Sequence, residues 1–239
     1  DVTTGITLKI GSPTTLLNLD LLSNFRLQAY NGSTLVGSAV TPDASLLSLS
    51  LLASGNQTEL FFPAPVPSGS PATTYDRVRL SIVGTLSVAQ SLSVYAAYYT
   101  KPASGPVACD QAVDVLTGIV GNVGALGGVT NGPLAIDNNP TTAAVLTAAV
   151  SVAGYAQETA IFPGLSAPGD SVRLLISRTG SLLDLSVLQN FSIVTYNGNT
   201  VVDNITGNDA LLVLNLLSGS TSVQTLSFKS SGSFARIQV

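Results

Sequence analysis

The chain has 239 residues, 45% of them hydrophobic and only 9% charged, with nine Lys and Arg against 13 Asp and Glu for a net charge of −4. Soluble domains carry roughly a quarter charged residues, yet a mean hydropathy of +0.44 is the opposite of the low hydrophobicity that marks disorder. The few cations are scattered, which excludes the basic footprint of a nucleic-acid binder, and the apolar runs are broken by Ser, Asn or Gly short of the roughly 18 residues of a membrane span.

Strand signals dominate from the start. Gly5-Ile6-Thr7-Leu8-Lys9-Ile10 alternates apolar and polar residues with period two, the pattern of a half-buried strand. A Leu-rich segment from Leu16 leads into Phe25-Arg26-Leu27-Gln28-Ala29-Tyr30, which alternates in the same way and meets Asn31-Gly32. Asn-Gly is the strongest short hairpin signal, because both residues tolerate positive φ, and the strand resumes at Thr34-Leu35-Val36. Leu46 to Leu52 alternates like a strand and also fits a buried loop. Leu60-Phe61-Phe62 and Tyr75 to Leu80 read as further strands, separated by a Pro/Ser/Gly loop around Pro63 to Pro71. Val88 to Tyr99 reads as a closing strand or pair of strands, and Lys101 to Pro106 as a linker.

Beyond the linker the chain repeats itself. Leu16 to Gly32 returns as Leu182 to Gly198, 166 residues later, with 9 of 17 positions identical. At the same offset, Ile6 to Ile10 aligns with Val172 to Ile176, Thr34 to Val36 with Thr200 to Val202, and Leu60 to Phe62 with Leu226 to Phe228. Tyr75 to Leu80 aligns with Phe234 to Val239 after the first copy's loop is discounted, an insertion of the kind surface loops absorb at little cost. A fixed period of this kind marks a repeat architecture. The expected fold is all-β, with tandem antiparallel β-sandwich modules of jelly-roll or immunoglobulin-like type. Residues 1–100 read as the later part of one module, 101–106 as the linker, and 107–239 as a second module lacking its last strand or strands. A sandwich short of strands exposes an unpaired edge, which a neighbouring chain or continuous sequence can fill. Asp1 is not an initiator methionine, so the N-terminus reads as processed or excised.

Catalysis is addressed by what is missing. Without His, Ser-His-Asp and Cys-His machinery cannot be built, and zinc would need His or several Cys. A carboxylate pair such as Asp110 and Asp114 reads as solvated. The chain is therefore not expected to be an enzyme. Cys109, the single cysteine, reads as a structural thiol or one whose partner lies elsewhere. The aromatic cluster Tyr95, Tyr98 and Tyr99 is a candidate binding platform or a packing surface. Tyr95 and Tyr99 would share one face of a regular strand. Asn31, Asn56, Asn190 and Asn204 open glycosylation sequons.

Ala135-Ile136-Asp137-Asn138-Asn139-Pro140-Thr141-Thr142 resembles the Ala-x-Asp-Gly-Asn-x-x-Thr loop of discoidin-type, galactose-binding-like domains. Those are jelly-roll sandwiches in which the loop often holds a structural calcium ion. Carried over by position, the resemblance implies Asp137, Thr142 and main chain near Asn139 as ligands, an oxygen set that suits calcium. The same residues also read as an Asx/Pro turn. No other cofactor is expected. Asn138 stands where that family has Gly, and its usual aromatic after the Thr is absent.

At a wider scale the chain resembles repeat units of large secreted proteins of Bacteroidetes-type bacteria. The resemblance rests on Ala135 to Thr142, Gly169 to Arg173, Leu182 to Phe191, Tyr196 to Gly198 and Tyr75 to Val78. It implies an extracellular or cell-surface location and a structural role in a fibre, surface layer or giant adhesin. Neighbouring modules of the same array, or a homopolymer, would be the partners. The alternative is a carbohydrate-binding module with a glycan as ligand. Asp170-Ser171-Val172 resembles an O-glycosylation signal of those bacteria.

Overall fold

The computed structural model describes residues 4–11, 22–46, 57–63, 74–83, 92–99, 104, 110–121, 127–147, 154–177, 191–206, 213–215 and 223–239. The Leu-rich segments 16–21 and 182–190, all of 47–52, most of the Pro63 to Pro71 loop, Cys109 and all of the linker but Ser104 lie outside these residues. The fold is all-β. The chain divides into two compact units, the first built mainly from residues 1–105 and the second mainly from 106–239.

Among the described residues of 1–105 there are six strands: β1 (Ile6–Gly11), β2 (Phe25–Asn31), β3 (Thr34–Val40), β4 (Gln57–Phe62), β5 (Arg77–Ile82) and β6 (Ser93–Tyr98). They form two three-stranded antiparallel sheets, in the orders β4-β1-β6 and β3-β2-β5. One core joins the two sheets. Leu8 and Ile10 of β1 and Leu60 and Phe62 of β4 meet Phe25, Leu27 and Ala29 of β2 and Val36 of β3. Period-two alternation explains the division of faces, since only every second residue of each strand can reach the partner sheet.

The remaining described strands are β7 (Asp114–Gly121), β8 (Gly128–Thr130), β9 (Val145–Thr147), β10 (Gly154–Ile161), β11 (Ser171–Ser177), β12 (Ser192–Asn197), β13 (Thr200–Thr206), β14 (Val213–Asn215), β15 (Val223–Lys229) and β16 (Arg236–Gln238). They belong to the second unit, except that Gly118–Gly121 of β7 and Gly154 and Tyr155 of β10 group with the first. A five-stranded sheet of order β13-β12-β16-β10-β7 and a three-stranded sheet of order β11-β15-β14 share a second core of Val172, Ile193, Ile205, Phe228, Phe234 and Ile237. β8 and β9 pair as a separate ribbon. The Leu-rich stretch at 211–217 contributes the short strand β14, whereas Leu46 ends a 3-10 turn, Ala44–Leu46.

The sequence repeat is a repeat of wiring. β1 pairs with β4 as β11 pairs with β15, with Ile6 opposite Phe62 and Leu8 opposite Leu60 in one copy, Val172 opposite Phe228 and Leu174 opposite Leu226 in the other. β2 pairs with both β3 and β5 as β12 pairs with both β13 and β16, with Tyr30 opposite Arg77 and Tyr196 opposite Arg236. Each hairpin carries a register shift, though at different positions, between Leu27 and Ala29 in one copy and between Thr195 and Tyr196 in the other. The hairpins form where Asn-Gly predicts them, with the turn placed one residue later than that motif requires. Asn31 pairs with Thr34 and Asn197 with Thr200, so the central pairs are Gly32-Ser33 and Gly198-Asn199. Only the glycines take positive φ, 57° and 59°, which suits a two-residue loop with Gly first.

Candidate functional site

The Asp137 loop follows a 3-10 turn, Gly132–Ala135, and draws the three residues of the calcium-type motif together. Asn138 adopts φ 60°, the left-handed conformation that Asn tolerates in place of Gly. The Asp137 carboxylate accepts from the Asn139 N–H at 2.9 Å through Oδ1 and from the Thr142 hydroxyl at 2.7 Å through Oδ2. Asn139 Oδ1 accepts from the Thr141 N–H at 3.1 Å and hydroxyl at 2.7 Å. The Thr142 hydroxyl above all, then the Asn139 N–H, hold the Asp137 carboxyl below its ordinary range. The loop is therefore an Asx-type turn in which each Asp137 carboxylate oxygen accepts an internal hydrogen bond. No cluster of three or more His, Cys, Asp or Glu side chains able to hold a metal occurs among the described residues.

The tyrosines lie on or just after β6. Tyr95 is 50% exposed and Tyr99 55%, while Tyr98 is partly buried. β6 is not a regular strand: Lys9 faces Ala96 but Ile10 faces Val94, leaving Tyr95 without a register partner on β1. That irregularity removes the strict alternation on which a shared face for Tyr95 and Tyr99 depends.

Several of the motif residues serve the fold itself. Arg77 donates to the Gly32 carbonyl, and in the second copy Arg236 donates to the Gly198 carbonyl at 3.3 Å. Asp76 accepts the Gly32 N–H at 3.0 Å, and the guanidiniums of Arg77 and Arg79 lie 5.1 and 5.0 Å from the Tyr30 ring centroid, within cation–π range. The Tyr-Asn-Gly turn and the Arg-bearing strand thus clamp each other. Asn31 donates to Thr74 and Asn204 lies exposed on β13, while Asn56 and Asn190 fall outside the described residues. Asp170 closes a turn by accepting the Ala167 N–H at 2.7 Å, leaving Ser171 exposed beside it.

Two acidic residues matter that sequence reasoning did not single out. Asp203 on β13 accepts from the Thr195 hydroxyl at 3.0 Å and the Ser230 hydroxyl at 2.5 Å, and from the Ser231 N–H. Ser230 directly follows β15, so this carboxylate ties the two sheets of the second unit together. Burial pushes Asp203 up, but the bonds from Ser230, Ser231 and Thr195 outweigh it and hold the carboxyl low. Glu158 on β10 is buried against Gly132, and its Oε1 has no hydrogen-bond partner. Burial alone raises its pKa to about 7. The one signal for it in the sequence is that Glu158 is one of only two glutamates, set in the strand-like run Gly154–Ile161.

Comparison with known proteins returns nothing: no protein-family model, no curated protein and no solved structure matches the chain.

Proposed function

We propose that the chain is a non-catalytic structural repeat of a secreted extracellular fibre, surface layer or giant adhesin, acting through module stacking and β-edge association. One observation carries this reading: the two copies share their wiring, and each shows, among the described residues, an open strand edge whose counterpart in the other copy is paired. Among the described residues, β16 is flanked by β10 but its counterpart β5 has no such neighbour, and β1 is flanked by β6 but its counterpart β11 has none. Repeat arrays bury such faces against adjacent units. The low charge of the chain leaves little repulsion to keep copies apart.

Negative-stain electron microscopy with intact mass on the natively isolated protein tests the proposal. Ordered filaments, or a much longer chain of tandem units, support it. Dispersed 24 kDa monomers at every concentration overturn it.

The half-exposed Tyr95 and Tyr99 favour a second reading, a carbohydrate-binding module. Saturable glycan binding that Tyr99→Ala abolishes would establish it in place of the structural role.

A further inference from the structure

We propose that the open edge of β11 is completed by a strand of the β6 type, carried on the same polypeptide after β16 and running antiparallel to β11. This deepens the array reading and rests on it. The argument comes from the two copies compared strand by strand. On the β4 side of β1 and the β15 side of β11 the registers are identical, Leu8 on Leu60 and Leu174 on Leu226. On the other side they differ. β1 continues into β6, with Thr7 opposite Tyr98, Leu8 opposite Ala97, Lys9 opposite Ala96 and Ile10 opposite Val94. Among the described residues, β11 is the edge strand of its sheet.

Burial follows the difference. Leu8 and Ile10, covered by β6, are 7% and 0% exposed. Their counterparts Leu174 and Ile176 are only half-buried, and Leu175, which stands where β1 has Lys9, is 51% exposed. A strand edge carrying three consecutive apolar residues is a template for pairing. The equivalent register puts a small residue opposite Leu174 and a β-branched one opposite Ile176, as Ala97 and Val94 stand opposite Leu8 and Ile10. A second copy can lend its β6 only by stripping its own β1, which closes one edge and opens another. A β6-type strand of its own restores the register that β1 shows without opening another edge, and β6 follows β5 in the chain just as the new strand would follow β16.

The test appends the sequence of residues 81–99 after Val239, since Val239 is the counterpart of Leu80, and measures hydrogen exchange by mass spectrometry. In the extended chain the amides of 172–176 that point away from β15 should exchange at least tenfold more slowly than in the unextended chain. Val94→Pro with Ala96→Pro in the appended copy should remove that protection, because proline cannot donate to the ladder. Protection of Ser192–Thr206 in the β12–β13 hairpin reports that each variant is folded. Unchanged exchange of β11 in a folded, extended chain overturns the proposal. So does β11 protection that is already present in the unextended protein and lost on dilution, which would make a second copy the occupant. The array reading fails separately: a chain whose β11 accepts the strand, yet which occurs natively as isolated monomers, keeps the edge assignment and loses the fibre.

Discussion

The buried carboxyl of Glu158 gives the second unit an unusual pH dependence. A carboxyl raised from 4.5 to about 7 in the fold stays protonated there while the unfolded chain has already ionised. Between those values unfolding releases a proton, so stability is full below about pH 4.5, falls as pH rises, and levels off above about pH 7. At 1.36 kcal/mol per pH unit the whole span corresponds to about 3 kcal/mol. Discounting for solvent near the carboxyl leaves about 2 kcal/mol. The chain has no His to titrate in this window, and comparison with Glu158→Gln separates the Glu158 contribution from any other group. Glu158→Gln keeps the shape of the protonated acid and cannot ionise. Urea denaturation followed by circular dichroism at pH 5 and pH 8 is the assay. The wild type should lose about 2 kcal/mol from the second unit between the two, a midpoint shift on the order of 1 M at a typical slope. The variant should be flat, and more stable than wild type at pH 8. Equal wild-type stability at both values, or a slope that survives in Glu158→Gln, would refute the assignment of Glu158 as a buried, protonated carboxyl.

Phe62→Ala and Phe228→Ala occupy equivalent sites in the two cores and should each cost about 3–5 kcal/mol, read as loss of exchange protection in the affected unit. Gly32→Ala has open space for its new methyl but a φ of 57°, so thermal unfolding should show a loss of about 1 kcal/mol from backbone strain alone, and Gly32→Asn a smaller one. Asp203→Ala breaks the tie to Ser230 and should cost about 1 kcal/mol or more. Because the Asp203 carboxyl is held low, its contribution in the wild type is present above the ordinary Asp range and is lost as pH falls through the lowered value, which denaturation between pH 5 and pH 2 reads. Millimolar calcium should leave the thermal midpoint unchanged, since the Asp137 oxygens already accept internal bonds. A rise of several degrees that Asp137→Asn abolishes would instead reveal a metal site.

Much of the architecture was legible in the residues themselves. Period-two alternation marked β1, β2, β11 and β12 because one face of each strand packs on a core while the other does not. The offset of the Leu8/Leu174 and Leu60/Leu226 pairs carried the wiring, since matched alternation with matched spacing allows the same strands to pair in both copies. Asn31-Gly32 placed a hairpin correctly, but whether Gly occupies the first or the second central position depends on cross-strand register, which only the folded sheet decides. Tyr95 and Tyr99 have the spacing of a shared face in any regular strand, and the irregularity opposite Lys9 and Ile10 is a property of the β1–β6 pair rather than of β6 alone.

Sequence by itself determined the all-β class, the repeat and the positions of most strands, because these follow from local alternation, turn chemistry and internal similarity. Tertiary structure alone decided which strands lie at sheet edges among the described residues, that Glu158 is buried with an unpaired oxygen, that Asp203 bridges two sheets, and that the Asp137 carboxylate closes its own loop. Each of those depends on neighbours distant in the chain, and burial and hydrogen bonding are set by which groups meet rather than by which residues follow one another.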